Sequence, residues 1–324
     1  MTLPAPNFAD VAAAHLRIRP LALRTPLLEN ERVNQLLGGR LLIKAEVLQR
    51  TGSFKFRGAL NFISQLDAVQ RKKGVVAWSS GNHAQGVAEA ARLMDVPAAI
   101  VMPNDAPALK VANTRASGAE IFLYDRVNES REEIARKLAT ERGAMPMPPY
   151  DHPWIIAGQG TSGIEVIEAG IKPDAIIAPC SGGGLATGIS LAMQGLSPQT
   201  ECHAAEPAGF DDLARSLRSG NKEKNEKLSG SICDALLAPT PGDITFAIAQ
   251  RNLKGSHAVT DDEARDAMEL AFREFKIVVE PGGAVALAAV LTGKLSAKGR
   301  TIVAVCSGGN VDSETFITAL NRRT

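Results

Sequence analysis

Cysteine, aromatic residues and long apolar runs are all scarce in this chain. It has four cysteines in 324 residues, and Cys180, Cys202, Cys233 and Cys306 lie far apart with no CxxC spacing. This pattern argues against a disulfide framework or a zinc site on sulfur, and it favours reduced thiols in a cytoplasmic protein. The first residues lack the regions of a signal peptide, and no apolar run approaches the ~20 residues that span a bilayer, so we expect no membrane partner.

The chain also lacks an excess of either charge. Lysine and arginine number 36, and aspartate and glutamate number 35, which leaves a net charge of +1. We therefore expect no nucleic-acid partner and favour a small-molecule ligand. With 45% hydrophobic residues the chain can bury a large core, and its length favours two domains.

Short apolar runs alternate with segments of helical periodicity. Residues 75–78, for example, form an apolar run between Gly74 and a Ser-Ser-Gly turn, as is typical of a strand buried in a parallel sheet. The alternation predicts an α/β fold with mostly parallel sheets flanked by helices. The predicted strands are 41–43, 75–78, 98–102, 121–124, 175–179, 202–205 and 301–306, and the predicted helices are 8–18, 82–94, 106–116, 129–142, 185–193, 211–218, 284–291 and 313–320.

Two segments depart from this alternation. Residues 143–153 are rich in proline and methionine, which predicts a crossing between two lobes. Residues 219–227, SGNKEKNEK, are polar and charged enough to predict a solvated loop. Helical spacing then returns behind Thr260, a residue type that favours the N-cap position.

Lys55, in the stretch QRTGSFKFRGALN, is the strongest candidate for a reactive residue. Taken alone it could be a solvated lysine at the start of a helix. Three small-residue loops, at 79–83, 181–184 and 307–310, each follow a predicted strand and lead into a helix. One lysine together with three such loops indicates a cofactor site.

The glycines at 182–184 are suited to hold a phosphate. Glycine lets backbone N–H groups approach an anion, and the following helix N-terminus adds partial positive charge. A dinucleotide-binding loop with Glu206 as ribose ligand is an alternative, but the GxGxxG pattern fails because Thr187 stands at the third glycine position. A purely structural turn remains open.

The turn Ser79-Ser80-Gly81-Asn82-His83 offers hydroxyls, an amide and backbone donors at another helix start. Such a group of donors suits a substrate carboxylate, although structural turns of this composition are common. The motif is therefore a substrate-binding candidate that needs support from other parts of the chain.

Four separated motifs together resemble a known family. They are Ser53-Phe54-Lys55-Phe56-Arg57-Gly58, the segment from Ser79 to Gly86, Gly182-Gly183-Gly184, and Ser307-Gly308-Gly309-Asn310. In this order they resemble the pyridoxal-phosphate enzymes of the serine/threonine dehydratase and serine racemase family, of the tryptophan-synthase-β fold type, over about residues 20–316. The resemblance implies two lobes, with 1–73 and 149–324 forming a large cofactor-binding domain and 74–148 a small mobile domain, and it implies a homodimer.

The same resemblance implies roles for individual residues. Lys55 would form the internal Schiff base with pyridoxal 5′-phosphate, Asn82 would contact the pyridoxal 3′-oxygen, and Ser307 would meet the pyridine nitrogen. The phosphate would be held by Ser181, Gly182, Gly183, Gly184 and Leu185, and the substrate by Ser79, Ser80, Gly81, Asn82 and His83. Two departures from the family pattern stand out: Ser181 replaces a frequent glycine, and Ala238-Pro239 stand where racemase-like members place serines.

A divalent-cation site is implied as well. The resemblance assigns Glu206, Asp212 and the carbonyl of Phe210 as ligands of Mg²⁺ or Ca²⁺, hard cations that prefer oxygen. Taken without the family, two acids in EPAGFDD are more typical of a helix cap and a solvated face. Both interpretations remain open at this point of the sequence.

The function implied is that of a lyase. Such enzymes eliminate the β-hydroxyl of L-threonine, L-serine or a related amino acid such as 3-hydroxyaspartate, and release a 2-oxo acid and ammonia. A serine rather than an aspartate at the pyridine nitrogen favours elimination over a long-lived carbanion. The alternative is an amino-acid racemase that uses Lys55 and Ser80 on opposite faces of the substrate, and a third is a binding protein without turnover.

Overall fold

The computed structural model describes residues 4–79, 81–106 and 108–321. Within these ranges the chain forms ten β-strands and fourteen α-helices. The strands are β1 (Leu27–Glu29), β2 (Arg40–Ala45), β3 (Val75–Trp78), β4 (Ala98–Pro103), β5 (Glu120–Tyr124), β6 (Met145–Met147), β7 (Ala175–Pro179), β8 (Glu201–Pro207), β9 (Leu253–Val259) and β10 (Thr301–Cys306). The helices are α1 (Phe8–Ile18), α2 (Glu31–Leu37), α3 (Lys55–Ser64), α4 (Ala68–Lys73), α5 (Asn82–Leu93), α6 (Ala108–Ala116), α7 (Arg131–Arg142), α8 (Pro153–Glu168), α9 (Gly184–Leu196), α10 (Asp212–Ser219), α11 (Asp243–Asn252), α12 (Asp261–Phe275), α13 (Pro281–Leu291) and α14 (Ser313–Leu320).

The larger sheet has the strand order β1-β2-β10-β7-β8-β9. Only β1 runs antiparallel to its neighbour in this sheet, and the other pairs are parallel. Every residue of β7 is buried, because helices cover both faces of a parallel sheet and leave no strand face for solvent. The prediction of a mostly parallel α/β fold is confirmed. In the described part of the chain, no helix is both long and apolar enough to cross a membrane.

The smaller sheet has the order β5-β4-β3-β6 and is parallel throughout. Its strands lie between Val75 and Met147. The domain boundaries at 74 and 148 remain a prediction. Strand β6 lies within residues 143–153, where the prolines predict a crossing between lobes and no strand. Pro146 pairs with Val76 at the edge of the sheet, where a residue without an N–H is tolerated.

Helix α8 was also missed, although it is the longest helix described. Glycines interrupt its apolar pattern, yet they are what lets it pack. A Cβ on Gly158 would lie 2.7 Å from Cα of Gly58 in α3, and a Cβ on Gly160 would lie 2.4 Å from the carbonyl oxygen of Gly188 in α9. Because no side chain intervenes, the backbones of α3 and α9 approach α8 on two sides. This packing fixes α3, the helix that begins with Lys55.

A buried group of four charged residues, called here the buried ion cluster, anchors the same helix. Arg57 donates to Glu46 Oε2 at 2.8 Å and to Glu165 Oε1 at 2.6 Å, and Lys44 Nζ donates to Glu165 Oε2 at 2.5 Å. Burial opposes the charge on Arg57, but Glu46 and Glu165 raise its pKa above the usual range. Two bases and two acids balance in formal charge, so the cluster brings no net formal charge into the core.

Candidate active site

Lys55 is the first residue of α3, and the loop before it is joined to the loop that follows β10. Ser53 forms an antiparallel bridge with Gly308, and the Phe54 amide donates to the Ser307 carbonyl at 3.0 Å. Ser307 itself is buried. The structure therefore brings together the first and last of the four motifs, which are separated by about 250 residues of sequence.

The amine of Lys55 is held inside the site. Its Nζ donates to the Pro149 carbonyl at 2.7 Å and lies 5.2 Å from the centroid of the Phe54 ring. Burial lowers the pKa of Lys55 to about 8. Lys55 is partly buried, and its amine has a protein partner, which favours a site residue over an ordinary solvated lysine. With this pKa a large share of the amine is neutral near pH 8.

The glycine loop at 182–184 connects β7 to α9. Gly183 has φ +100°, a conformation that favours glycine, and a Cβ on Gly182 would lie 2.2 Å from the ring of Tyr150. The amides of Gly184 and Leu185 open α9 and so have no acceptor within the helix. Backbone donors at a helix N-terminus fit a phosphate group.

The hydroxyl oxygen of Ser181 already accepts one hydrogen bond from the protein. Its Oγ accepts the amide proton of Ala238 at 3.1 Å, which leaves its own hydroxyl proton to donate elsewhere. The departure from glycine at 181 and the Ala238-Pro239 departure are thus in direct contact. Both lie beside the proposed phosphate position.

Asn82, the first residue of α5, has its side-chain amide fixed from two sides. Its Oδ1 accepts from Asn310 at 2.7 Å, and its Nδ2 donates to Glu280 Oε1 at 2.6 Å. Asn310 donates also to the Thr51 carbonyl at 2.7 Å. One hydrogen of Asn82 Nδ2 remains for a ligand. Sequence reasoning missed Glu280, whose only local signal is an acid before a Pro-Gly-Gly helix start.

Three described residues of the 79–83 motif, Ser79, Gly81 and His83, take part in hydrogen bonds. The Gly81 amide donates to Ser79 Oγ at 3.2 Å, and His83 Nε2 lies 3.2 Å from the Met147 carbonyl and so donates to it. Burial, and then the nearby Lys55 charge, lower the pKa of His83 to about 3, which keeps the ring neutral. Among the described residues its buried Nδ1 has no hydrogen-bond partner. Ser80 lies outside the described residues.

The two acids assigned to a cation are both buried. Glu206 accepts the amides of Leu213 at 2.8 Å and Ala214 at 2.9 Å, so the helix-cap interpretation describes its contacts, whereas a solvated face is wrong. Burial raises the pKa of Glu206 to about 8 and that of Asp212 to about 6. Asp212 Oδ1 accepts from Asn225 at 2.7 Å.

One carboxylate oxygen of Asp212 has no protein partner in the described part of the chain. Within the described residues Asp212 Oδ2 is buried and has no hydrogen-bond partner. No group of three or more acids, histidines or cysteines there is arranged to hold a metal. A cation at this position would therefore depend on the two carboxylates together with carbonyl or water oxygens, which Mg²⁺ and Ca²⁺ accept.

Similar proteins cover nearly the whole chain. A family model described as "Pyridoxal-phosphate dependent enzyme" matches residues 18–308. The L-threo-3-hydroxyaspartate ammonia-lyase of Saccharomyces cerevisiae is 42% identical over 98% of this chain and 97% of the relative. The crystal structure of Dictyostelium discoideum serine racemase has a TM-score of 0.90 at 40% identity and covers 95% of this chain and 100% of its own. The structure of maize serine racemase has a TM-score of 0.92 at 38% identity and covers 98% of this chain and 97% of its own.

Proposed function

The chain belongs to the family of pyridoxal-phosphate dependent enzymes, and we propose that it is an ammonia-lyase of 3-hydroxy amino acids. Its substrate would be L-threo-3-hydroxyaspartate, L-threonine or L-serine, and its products a 2-oxo acid and ammonia. The observation that carries the proposal is the placement of Lys55 Nζ, 2.7 Å from the Pro149 carbonyl, because the next residue, Tyr150, packs on the glycine loop suited to phosphate. Burial also lowers the pKa of this amine to about 8. A neutral amine at that place can both bind a carbonyl cofactor and take a proton.

When bound, pyridoxal phosphate withdraws electrons from the substrate α-carbon and makes its C–H bond acidic. Lys55 Nζ would hold the cofactor, and as a free amine it would take the α-proton. Asn82, whose amide orientation is fixed by Asn310 and Glu280, would offer its remaining N–H to the pyridoxal 3′-oxygen. Ser307 would face the pyridine nitrogen. The β-hydroxyl leaves with a proton as water, and one water is consumed when ammonia is released.

Arg131 supports a substrate with a second carboxylate. It is the first residue of α7, and its side chain is exposed. Burial, followed by the charges of Glu132 and Asp151, raises the pKa of Tyr150 to about 12, and the Arg131 charge acts in the opposite direction. Because a guanidinium suits a carboxylate, we propose Arg131 as the partner of the β-carboxylate of 3-hydroxyaspartate.

A substrate panel tests this preference. We expect the highest kcat/KM with L-threo-3-hydroxyaspartate, and we expect Arg131→Ala to lower it by about 10–100-fold, the range of one lost charge-assisted hydrogen bond. Activity on L-threonine should change less than about twofold, because threonine has no second carboxylate. The measurement is release of 2-oxo acid from each amino acid.

Arg136→Ala, which removes another exposed arginine of α7, is the matched control. It should leave both activities unchanged. Equal losses on 3-hydroxyaspartate and threonine in Arg131→Ala would mean that Arg131 does not select the second carboxylate.

A racemase is the second candidate, favoured by the 40% identity to the Dictyostelium serine racemase. In that reaction Ser80 would deliver a proton to the face opposite Lys55. Ala238-Pro239, in place of the serines of racemase-like members, favour the lyase. The amide of Ala238 is engaged with Ser181.

We also propose a Mg²⁺ or Ca²⁺ site formed by Glu206, Asp212 and the Phe210 carbonyl. Two buried acids with raised pKa values, and an Asp212 oxygen that no described residue pairs with, support it. A cation there would allow both carboxylates to stay ionised near neutral pH.

Removal of the cation should lower the melting temperature. Because a cation binds only the folded state, a concentration about one hundredfold above Kd stabilises the protein by about 2.7 kcal/mol. We expect EDTA to lower Tm and activity, and Mg²⁺ or Ca²⁺ to restore both. Glu206→Gln should be insensitive to EDTA, whereas Glu226→Gln, in the exposed polar loop, should respond like the parent. The site is absent if Glu206→Gln keeps the full response.

The last two points of the proposal are the oligomeric state of the protein and its cellular compartment. We expect a homodimer, supported by exposed apolar side chains, among them Phe272, Val278 and Ile317. All four cysteines are free and buried, which supports a reducing compartment such as the cytoplasm.

A further inference from the structure

The glycine loop is held on one side by helix α11. Thr245, a buried residue in the first turn of α11, donates its Oγ1 to the Gly182 carbonyl at 2.6 Å. The Gly242 amide donates to the same carbonyl at the longer distance of 3.3 Å. We propose that Thr245 is a positioning residue that orients the glycine loop and thereby sets the affinity for the cofactor phosphate. This inference rests on the proposed placement of the phosphate at 182–184.

The geometry of one peptide unit gives the mechanism. In a planar trans peptide the C=O and the next N–H point in opposite directions. The hydrogen bond that holds the Gly182 carbonyl toward α11 therefore turns the Gly183 N–H away from α11. The amides of Gly184 and Leu185, which open α9, follow in the chain. By orienting the Gly183 N–H, the Thr245 hydroxyl adds a third backbone donor to the amides of Gly184 and Leu185.

A glycine loop needs such an external restraint. Glycine populates many backbone conformations, and Gly183, at φ +100°, has no side chain that could hold it in place. The fit with Thr245 is also close, because a Cβ on Gly183 would lie 2.8 Å from Cβ of Thr245. The hydroxyl is therefore held against the loop by packing as well as by its hydrogen bond.

Asp151 fixes α11 in this position. Its carboxylate accepts the amides of Asp243 at 2.9 Å, Ile244 at 3.0 Å and Thr245 at 3.1 Å, the orphan donors of the helix N-terminus. Its two preceding neighbours contact the rest of the site. The carbonyl of Pro149 accepts from Lys55, and the ring of Tyr150 covers Gly182. The segment from Pro149 to Asp151 therefore connects the lysine, the glycine loop and α11.

Thr187 provides a matched contrast. Its Oγ1 donates to the Gly183 carbonyl at 2.8 Å, but its own backbone amide donates to the same carbonyl at 3.0 Å. Removing the Thr187 hydroxyl leaves that carbonyl with a full hydrogen bond. Removing the Thr245 hydroxyl leaves the Gly182 carbonyl with only the long bond from Gly242.

The test compares two ligands that differ only in the phosphate. The apoenzyme of the full chain is titrated with pyridoxal phosphate and with pyridoxal, and Kd is measured for each. We expect Thr245→Val to weaken pyridoxal phosphate about tenfold, the effect of one lost hydrogen bond, and to leave the Kd for pyridoxal within about twofold. Thr245→Ser, which keeps the hydroxyl, and Thr187→Val should bind both ligands like the parent.

Any other outcome overturns either the inference about Thr245 or the proposed placement of the phosphate. Unchanged affinity for pyridoxal phosphate in Thr245→Val overturns the inference, and so does an equal loss for both ligands, which would reveal a merely structural role. If the parent itself binds pyridoxal as tightly as pyridoxal phosphate, the phosphate is not held at 182–184 and the proposed placement fails first. Thermal melts report folding, and Thr245→Ala, with the same expected result, replaces the valine variant if that variant does not fold.

Discussion

Replacement of Lys55 by alanine is expected to lower the rate of ammonia release at least about a thousandfold, because one amine both holds the cofactor and moves the α-proton. The environment of the amine supports both roles. Burial lowers its pKa to about 8, and the Pro149 carbonyl at 2.7 Å holds Nζ in place. Initial rates of 2-oxo acid and ammonia formation, with saturating pyridoxal phosphate, measure the effect.

Peptide mapping gives a second readout for the same variant. Borohydride reduction of the parent should attach the cofactor to the peptide that contains Lys55, and Lys55→Ala should lose that adduct. Lys72→Ala, which removes an exposed lysine of α4, is the control and should keep both the adduct and the rate. A full adduct in Lys55→Ala would place the covalent link on another lysine.

Replacement of Arg57 by leucine should destabilise the fold by about 3–5 kcal/mol, because it leaves the buried carboxylates of Glu46 and Glu165 without their main partner. Arg57 is fully buried and donates to both acids at 2.6–2.8 Å. Lys44 would remain as the only base of the buried ion cluster. The midpoint of urea unfolding measures the loss.

The matched control is an ion pair of similar length in solvent. Arg142 donates to Glu120 at 2.6 Å, but both side chains are more than one third exposed. Arg142→Leu should cost less than about 1 kcal/mol, since water and salt screen an exposed pair. Equal shifts for the two variants would mean that burial of the cluster contributes nothing to stability.

The sequence predicted the parts of the fold that depend on local pattern. The apolar runs at 75–78 and 175–179 coincide with β3 and β7, and the N-cap expected at Thr260 accepts the Glu263 amide at 3.2 Å. These features need only neighbours in sequence. Helix α8 could not be found in this way, because its glycines lower local helix propensity and are explained only by the approach of α3 and α9.

The site residues also divide into those predicted from local sequence and those that depend on contacts between distant parts of the chain. The four motifs identified the loops, and the structure places the Lys55 and Ser307 loops in direct contact. Their supporting residues were not identified, because Glu280 reaches Asn82 across 198 positions and Thr245 reaches Gly182 across 63. Contacts of this kind leave no periodic signal. The interpretation of Glu206 as a helix cap was local and correct in its contacts, whereas its burial depends on tertiary packing.

The most direct test of the central claim is a full product balance on the purified holoenzyme. L-threo-3-hydroxyaspartate, L-threonine and L-serine are incubated separately, and 2-oxo acid, ammonia and both enantiomers of the remaining amino acid are quantified over time. We expect 2-oxo acid and ammonia to appear in equal amounts that match the amino acid consumed, and 3-hydroxyaspartate to react with the highest kcat/KM. Formation of the D-enantiomer at constant total amino acid, with no ammonia, would contradict this expectation and identify the enzyme as a racemase.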